Sequence, residues 1–161
     1  MSSVPKPIFN QLAYTFSDPV AEKESQEYAA CTFLLNGLWV KFRSAKITPT
    51  KTGQFVTLWK RDEEGITQPH DGSDDINLFI ISTRKDDCAG YFIFPKSVLL
   101  EKGILSGKNK PGKRGFRVYP SWDKAENKQA QASQRWQLMY FLEIESGNAF
   151  NEDRARQLFQ S

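Results

Sequence analysis

The sequence of 161 residues has few cysteines, a single histidine and no long apolar run. Its two cysteines, Cys31 and Cys88, are too few for a disulfide framework, and neither lies in a CxxC pattern. The longest purely apolar run, at residues 78–81, is far shorter than a membrane span. The opening residues contain no apolar signal core. These absences argue against a disulfide-rich scaffold and a membrane protein, and they predict a cytoplasmic protein.

Motifs for the common catalytic chemistries are also missing. The sequence contains no Walker A loop, no glycine-rich dinucleotide fingerprint and no GxSxG motif. His70 lies in the acidic segment at residues 68–75, without a cysteine or second histidine at ligand spacing. We therefore interpret His70 as a surface residue, and a Ser–His or Cys–His mechanism is not indicated.

Charge is present but segregated along the chain. The formal net charge is +3, yet no acidic residue lies between Glu27 and Asp62, or between Glu101 and Asp123. Segregation of this kind predicts one electropositive face. The cations of the two acid-free segments are Lys41, Arg43, Lys46, Lys51, Lys60 and Arg61 in the first, and Lys102, Lys108, Lys110, Lys113, Arg114 and Arg117 in the second.

Hydrophobic periodicity and turn residues predict the order of elements. The dipeptide Asn36-Gly37 indicates a tight hairpin turn, because both residues accept positive φ angles. We expect helices at residues 17–30, 95–103, 125–144 and 151–159, and strands on both sides of Asn36-Gly37 and at residues 53–61, 76–83, 89–94 and 114–120. This order predicts an α/β or α+β fold in a single domain, residues 1–161. The expected architecture is a mixed sheet of about five strands flanked by helices.

The first basic segment has features of an anion site. In its first strand Trp39, Lys41 and Arg43 share one face, and the opposite face is apolar. We therefore expect the basic face to look outward. The following loop presents Thr50 and Lys51, and hydroxyl and ammonium groups suit a phosphate oxygen. The alternative is a solvated β-turn whose lysines aid solubility.

The second basic segment combines cations with aromatic residues. Arg117 and Tyr119 share one face of a strand, and Trp122 follows. Cations meet phosphates and rings stack on bases, so the pattern suits a nucleic acid. The alternative is amphipathic packing at a strand end. Across both segments the candidate ligand-binding residues are Lys41, Arg43, Lys46, Thr50, Lys51, Lys60, Arg61, Lys113, Arg114, Arg117, Tyr119 and Trp122.

A carboxylate-based reaction is a second possibility. An antiparallel hairpin of strands 76–83 and 89–94 would bring Asp75 near Lys96, and Glu27 could add a further acid. A metal nuclease needs acids to hold Mg²⁺ and a lysine to activate water. Phe94 occupies the position two residues before Lys96 and cannot ligate a metal. Asp75 can equally be a solvated turn residue.

Long stretches of the chain, from about Ser25 to Phe141, resemble the MepB family of bacterial proteins. The most distinctive are "KITPTKTGQFVTLWKR" and "GFRVYPSWDK". The resemblance implies a restriction-endonuclease-like core, in which an Asp at a strand start precedes a (D/E)xK motif. Asp75 and Lys96 match that pattern, and Phe94 departs from it. Residues that match the family's motifs are Glu27, Lys46, Lys51, Lys60, Arg61, Asp75, Lys96, Arg117, Tyr119, Trp122, Gln129 and Gln137.

Three functional hypotheses follow from the sequence. The leading one is a module that binds nucleic acid or a phosphate-bearing ligand through a basic cleft. The second is a metal-dependent nuclease or phosphodiesterase, using Mg²⁺ or Mn²⁺ with Glu27, Asp75 and Lys96. The third is a protein-interaction partner without a nucleotide ligand. The sequence leaves open the ligand, any cofactor and the oligomeric state.

Overall fold

The computed structural model describes residues 4–160 as a mixed α+β fold. The helices are α1 (Lys6–Gln11), α2 (Lys96–Glu101), α3 (Lys128–Leu138) and α4 (Glu152–Phe159), and short 3₁₀ turns lie at Gln26–Tyr28 and Ser146–Asn148. The strands are β1 (Val20–Ala21), β2 (Cys31–Leu35), β3 (Leu38–Ser44), β4 (Lys46–Ile47), β5 (Gln54–Thr57), β6 (Trp59–Arg61), β7 (Thr67–Pro69), β8 (Leu78–Lys85), β9 (Cys88–Pro95), β10 (Gly115–Val118) and β11 (Phe141–Ile144).

The large sheet is mixed and has the strand order β1-β2-β3-β8-β9-β11. Its β3–β8 pair is parallel, and its other pairs are antiparallel. A three-stranded sheet, β10-β5-β4, and a two-stranded sheet, β6-β7, complete the described strands. The prediction of a mixed sheet flanked by helices is confirmed, with six strands in the large sheet rather than about five.

Both faces of the large sheet are covered. On one face Ile80 packs with Phe9 of α1 and Leu158 of α4. On the other face Phe79 packs with Val56 of the small sheet. All of these side chains are at most 2% exposed. The prediction that residues 76–83 form a strand buried on both faces is therefore confirmed.

The hairpin between β2 and β3 has the predicted turn. Asn36 and Gly37 adopt φ angles of +50° and +81°. The carboxamide Oδ1 of Asn36 also accepts a hydrogen bond of 2.9 Å from the Thr15 backbone N–H. The turn residues thus set the hairpin and anchor the preceding segment at the same time.

One predicted helix is absent and another is shorter than predicted. Residues 17–30 hold β1 and a 3₁₀ turn, because Ser25 and Ala29 take left-handed φ angles of 55° and 52° that interrupt a helix. Residues 125–144 hold α3 followed by β11, because the chain turns after Met139 and joins the sheet edge. The predicted strand at 53–61 divides into β5 and β6. No helix within residues 4–160 is long and apolar enough to cross a membrane.

Candidate anion-binding cleft

A cleft of about 420 Å³ lies between the loop at residues 48–53, strand β10 and helix α3. The two basic segments meet here because β10 pairs antiparallel with β5, with Val118 opposite Gln54. The predicted ligand residues that line the cleft are Thr50, Lys51, Lys113, Arg117 and Tyr119. Lys102, just after α2, adds a further cation. The α3 side is formed by Asn127, Gln129, Ser133, Trp136 and Gln137.

The cleft walls are held at a fixed separation by amide side chains of α3. Gln137 is 1% exposed. Its Nε2 donates to the carbonyl of Arg117 at 2.9 Å, and its Oε1 accepts from the N–H of Tyr119 at 2.8 Å. Gln134 donates from Nε2 to the carbonyl of Asp123 at 2.8 Å. Helix α3 is therefore tied to β10 and the segment after it, which makes the cleft a preformed feature.

Arg117 positions the loop that forms the opposite rim. Its guanidinium donates to Thr48 Oγ1 at 2.7 Å and to the carbonyls of Thr52 and Gly53 at 3.4 Å. Gly53 has a φ of +85°, and a Cβ there would lie 2.7 Å from two ring carbons of Tyr119. The Tyr119 ring thus packs directly against the Gly53 backbone. Arg117 is in part a loop-positioning residue, with its charge directed toward the cleft rim.

The charge of the cleft is predominantly positive. Four cations line it, and Glu126 is the one carboxylate among its lining residues. The exposed residues Lys51 and Lys113 form no ion pair within residues 4–160. The Lys102 ammonium lies 5.6 Å from the centre of the Trp136 ring and 3.9 Å from Glu101. Ammonium groups without a carboxylate partner are available to an anionic ligand.

The prediction that the Lys41–Arg43 face looks outward is wrong. Arg43 is fully buried and pairs with Glu22 at 2.6 Å, and Lys41 pairs with the same carboxylate at 2.8 Å. The Arg43 Nε also donates to the carbonyl of Thr57 in β5 at 3.2 Å. The face is covered because the small sheet packs over it. Burial alone would raise the pKa of Glu22, but the charges and hydrogen bonds of Arg43 and Lys41 outweigh it and lower that pKa.

Other predicted cations lie outside the cleft and have partners of their own. Lys60 binds Asp71 at 3.3 Å and also contacts Asp74. Arg61 lies 3.8 Å from Glu24. Lys60 and Arg61, which lie in an acid-free stretch of sequence, are thus each within reach of a carboxylate in the fold.

Arg114, Lys46 and Trp122 also lie away from the cleft lining. Arg114 donates to the carbonyl of Thr67 at 2.9 Å. The exposed Lys46 ammonium lies 5.0 Å from the centre of the Tyr28 ring. The Trp122 indole packs edge-on against Phe141 with centroids 5.8 Å apart, as the packing alternative for this residue proposed.

The three candidate catalytic residues are not joined to one another. Asp75 is exposed, and Glu27 lies exposed in a 3₁₀ turn. The Lys96 ammonium donates to the backbone carbonyls of Gly72 and Asp74 at 3.0 Å each. Within residues 4–160 no hydrogen bond or ion pair links the three, and no group of three or more metal-ligating side chains occurs. Metal-dependent cleavage stays a prediction.

His70 is buried, so its interpretation as a surface residue is wrong. It is 3% exposed, and its Nδ1 lies 3.0 Å from Asp74 Oδ2. Its Nε2 is buried without a hydrogen-bond partner. Burial, aided by the positive charge of Lys41 and opposed by Asp74, lowers the pKa of His70 to about 4. The sequence signal that could have indicated this burial is Asp74, four residues later, whose carboxylate lies against the imidazole.

The lowered pKa of His70 predicts a loss of stability in mild acid. Below about pH 6.5 His70 binds a proton in the unfolded chain, whereas in the folded chain it binds one only below about pH 4. The free energy of unfolding therefore falls as the pH falls through this window, by at most about 1.4 kcal/mol per pH unit. Urea unfolding of the protein and of His70→Asn, between about pH 7 and pH 5, should show a shallower loss in the variant. Equal slopes would contradict this role for His70.

Comparisons with known proteins complete the description of the chain. A family model described as MepB-like matches residues 22–143. The solved structure "Crystal Structure of MepB" is 36% identical, covers 89% of this chain and 99% of that chain, and has a TM-score of 0.79. "The structure of a bacterial homing endonuclease: I-Ssp6803I" is 12% identical over 81% of this chain and 82% of that chain, with a TM-score of 0.46, too low for any inference. No curated protein matches the chain.

Proposed function

The chain belongs to the MepB-like family, and from the cleft that its fold builds we propose that it binds a phosphate-bearing ligand, with nucleic acid as the leading candidate. The observation that carries the proposal is the meeting of Lys51 and Lys113 in one cleft of about 420 Å³. These two ammonium groups come from segments far apart in sequence. Neither has a carboxylate partner among the described residues.

The chemistry of the rim suits the oxygens of a phosphate. Thr50 and Thr52 flank Lys51 in sequence and line the same cleft. Ammonium and hydroxyl donors together can satisfy several oxygens of one phosphate. Tyr119 and Trp136 add aromatic surface to the same cleft, which gives a base or another flat ring a place to pack.

Binding should depend on salt and on the two unpaired lysines. We expect a fluorescein-labelled single strand to bind at low salt and to weaken at moderate salt, because binding releases counterions. Lys51→Gln/Lys113→Gln should weaken binding at low salt and reduce the slope of log affinity against log salt by about 1.4, from about 0.7 per lost contact. Fluorescence anisotropy titrations at several salt concentrations measure both quantities.

A matched variant controls for the loss of net charge. Lys6 and Lys23 are exposed, make no ion pair within residues 4–160 and do not line the cleft. Lys6→Gln/Lys23→Gln removes the same charge and should leave affinity and slope nearly unchanged. No binding even at low salt, or an equal loss in both double variants, would rule out the cleft as the binding site.

A further inference from the structure

We infer that the cleft accepts one unpaired nucleotide, either in a single strand or free, rather than the groove of a duplex; this rests on the proposed function. The starting observation is size. A volume of about 420 Å³ is near the low end of pockets that enclose small ligands, roughly 300–1,000 Å³. A duplex offers its bases only as edges along its grooves, so it could touch the rim but could not place a base inside.

The two walls of the cleft differ in chemistry. The rim is formed by loop 48–53, β10 and the loop before β10, and it carries Lys51, Arg117 and Lys113, which suit the backbone phosphates. The α3 wall carries Gln129, Ser133 and other uncharged polar groups. Three of the four cations lie on the rim, and Lys102 lies over the Trp136 ring on the α3 side. The cations and the uncharged polar groups of α3 correspond to the two parts of a nucleotide, its phosphate and its base.

The α3 wall presents unused hydrogen-bonding groups to the cleft. Gln129, Ser133 and Trp136 follow one another at spacings of four and three residues, so they share one face of the helix. Each lines the cleft, and none makes a side-chain hydrogen bond within residues 4–160. The carboxamide of Gln129 has both donors and an acceptor, which is what the edge of an unpaired base requires.

Aromatic surface in the cleft is fixed rather than mobile. The half-buried Trp136 ring packs on Phe94 with centroids 5.4 Å apart. Tyr119 is held against the backbone of Gly53. Rings already locked by packing lose little conformational entropy when a base stacks on them. Stacking on such a ring contributes about 1–3 kcal/mol per base and requires that the base be free of its duplex neighbours.

The test compares ligands that share phosphate and differ in base exposure. We expect a labelled single strand to bind at least tenfold more tightly than a duplex of the same length at equal salt. A 5′-mononucleotide at millimolar concentration should displace the labelled strand, and inorganic phosphate at the same concentration should not. The relative affinities of the mononucleotide and the strand distinguish a free nucleotide from a polymer as the source.

A variant of the α3 wall separates base contacts from phosphate contacts. Gln129→Ala/Ser133→Ala removes no charge, so it should lower single-strand affinity several-fold while the salt slope stays the same. Gln129 is exposed, and the fold should tolerate its change. Equal binding of duplex and single strand, displacement by phosphate alone, or an unchanged affinity in this variant would overturn the inference and leave the proposed function standing. Absence of salt-dependent binding to every ligand would overturn both.

Discussion

Glu22→Ala should lower the free energy of unfolding by about 3–5 kcal/mol, because it leaves a buried guanidinium without its counter-charge. Arg43 is fully buried, and the Glu22 side chain is 11% exposed. Arg43 donates to both carboxylate oxygens of Glu22, at 2.6 and 3.2 Å. The remaining partners of Arg43 are the backbone carbonyls of Thr57 and Phe42, which cannot neutralise a charge. The melting temperature should fall by on the order of 10 °C.

A neighbouring acid provides the control for this variant. Glu24 lies 3.8 Å from Arg61, whose side chain is 51% exposed. Glu24→Ala breaks a solvated pair and should cost no more than about 1 kcal/mol. Urea unfolding of both variants at neutral pH gives the comparison. Equal costs for Glu22→Ala and Glu24→Ala would show that the Arg43 pair is not desolvated in solution.

The same pair contributes to acid sensitivity with a defined sign. The pKa of Glu22 is lowered in the fold, so its stabilisation is complete above the ordinary pKa of a glutamate and is lost as the pH falls through the lowered value. Glu22 therefore acts at lower pH than His70, whose effect begins near pH 6.5.

Gly90→Ala should destabilise the fold by about 3 kcal/mol, the upper end of the usual cost of overpacking. A Cβ on Gly90 would lie 2.2 Å from Phe141 Cζ and 3.0 Å from the carbonyl of Leu142. The Phe141 ring cannot move aside easily, because it packs on Phe92 with centroids 4.6 Å apart and on Trp122. Relief would require β11 to shift on the edge of the large sheet.

A double variant tests whether the ring is the cause. Phe141→Leu removes the far end of the ring, so Gly90→Ala/Phe141→Leu should cost clearly less than the sum of the two single changes. Gly107→Ala is a matched control, since its Cβ would meet only Leu100 Cδ1 at an ordinary 3.6 Å. Urea unfolding measures all four variants. Additive costs in the double variant would contradict the packing explanation.

Alternation along β3 assigned the faces correctly but not their environments. Arg43 does lie on the face opposite Val40 and Phe42. The pattern does not predict that β5 packs over this face or that Glu22 approaches Arg43, and these two contacts keep water from it. A period-two pattern distinguishes two faces of a strand and says nothing about a second sheet.

Cations in the acid-free stretches of sequence can still have acidic residues beside them in the folded protein. Lys60 lies in such a stretch, yet Asp71 and Asp74 reach it after the β6–β7 hairpin reverses the chain. Lys51 and Lys113 remained unpaired because both lie on loops that face the cleft. Linear charge patterns therefore identified two segments that meet at the cleft, but they did not distinguish the cations that line it from those paired with acids elsewhere.

The cleft itself was half predictable. The residues of its rim can be predicted because their types suit phosphate. Glycine and proline predict that some of them lie in loops, and hydrophobic alternation predicts that Arg117 and Tyr119 lie on a strand. In α3 the family resemblance singles out Gln129 and Gln137, but residue types alone do not predict a cleft wall there, since amide and hydroxyl side chains on a helix are usually solvated. The signal that could have identified it is the polar stripe of Gln129 and Ser133 on the face shared with Trp136.

The pairing of β5 with β10 determines when this part of the fold can form during translation. Thr57 of β5 pairs with Gly115, which leaves the ribosome about sixty residues later, a delay of several seconds at about 5–20 residues per second. Strand β3 likewise cannot complete its pairing until β8 has been synthesised, because Val40 pairs with Leu78. Until those partners emerge the nascent chain exposes apolar strand edges, which favour association with other chains. Association of the newly made chain with other chains should therefore be most frequent before β10 emerges, and the cleft forms only after α3 has left the ribosome.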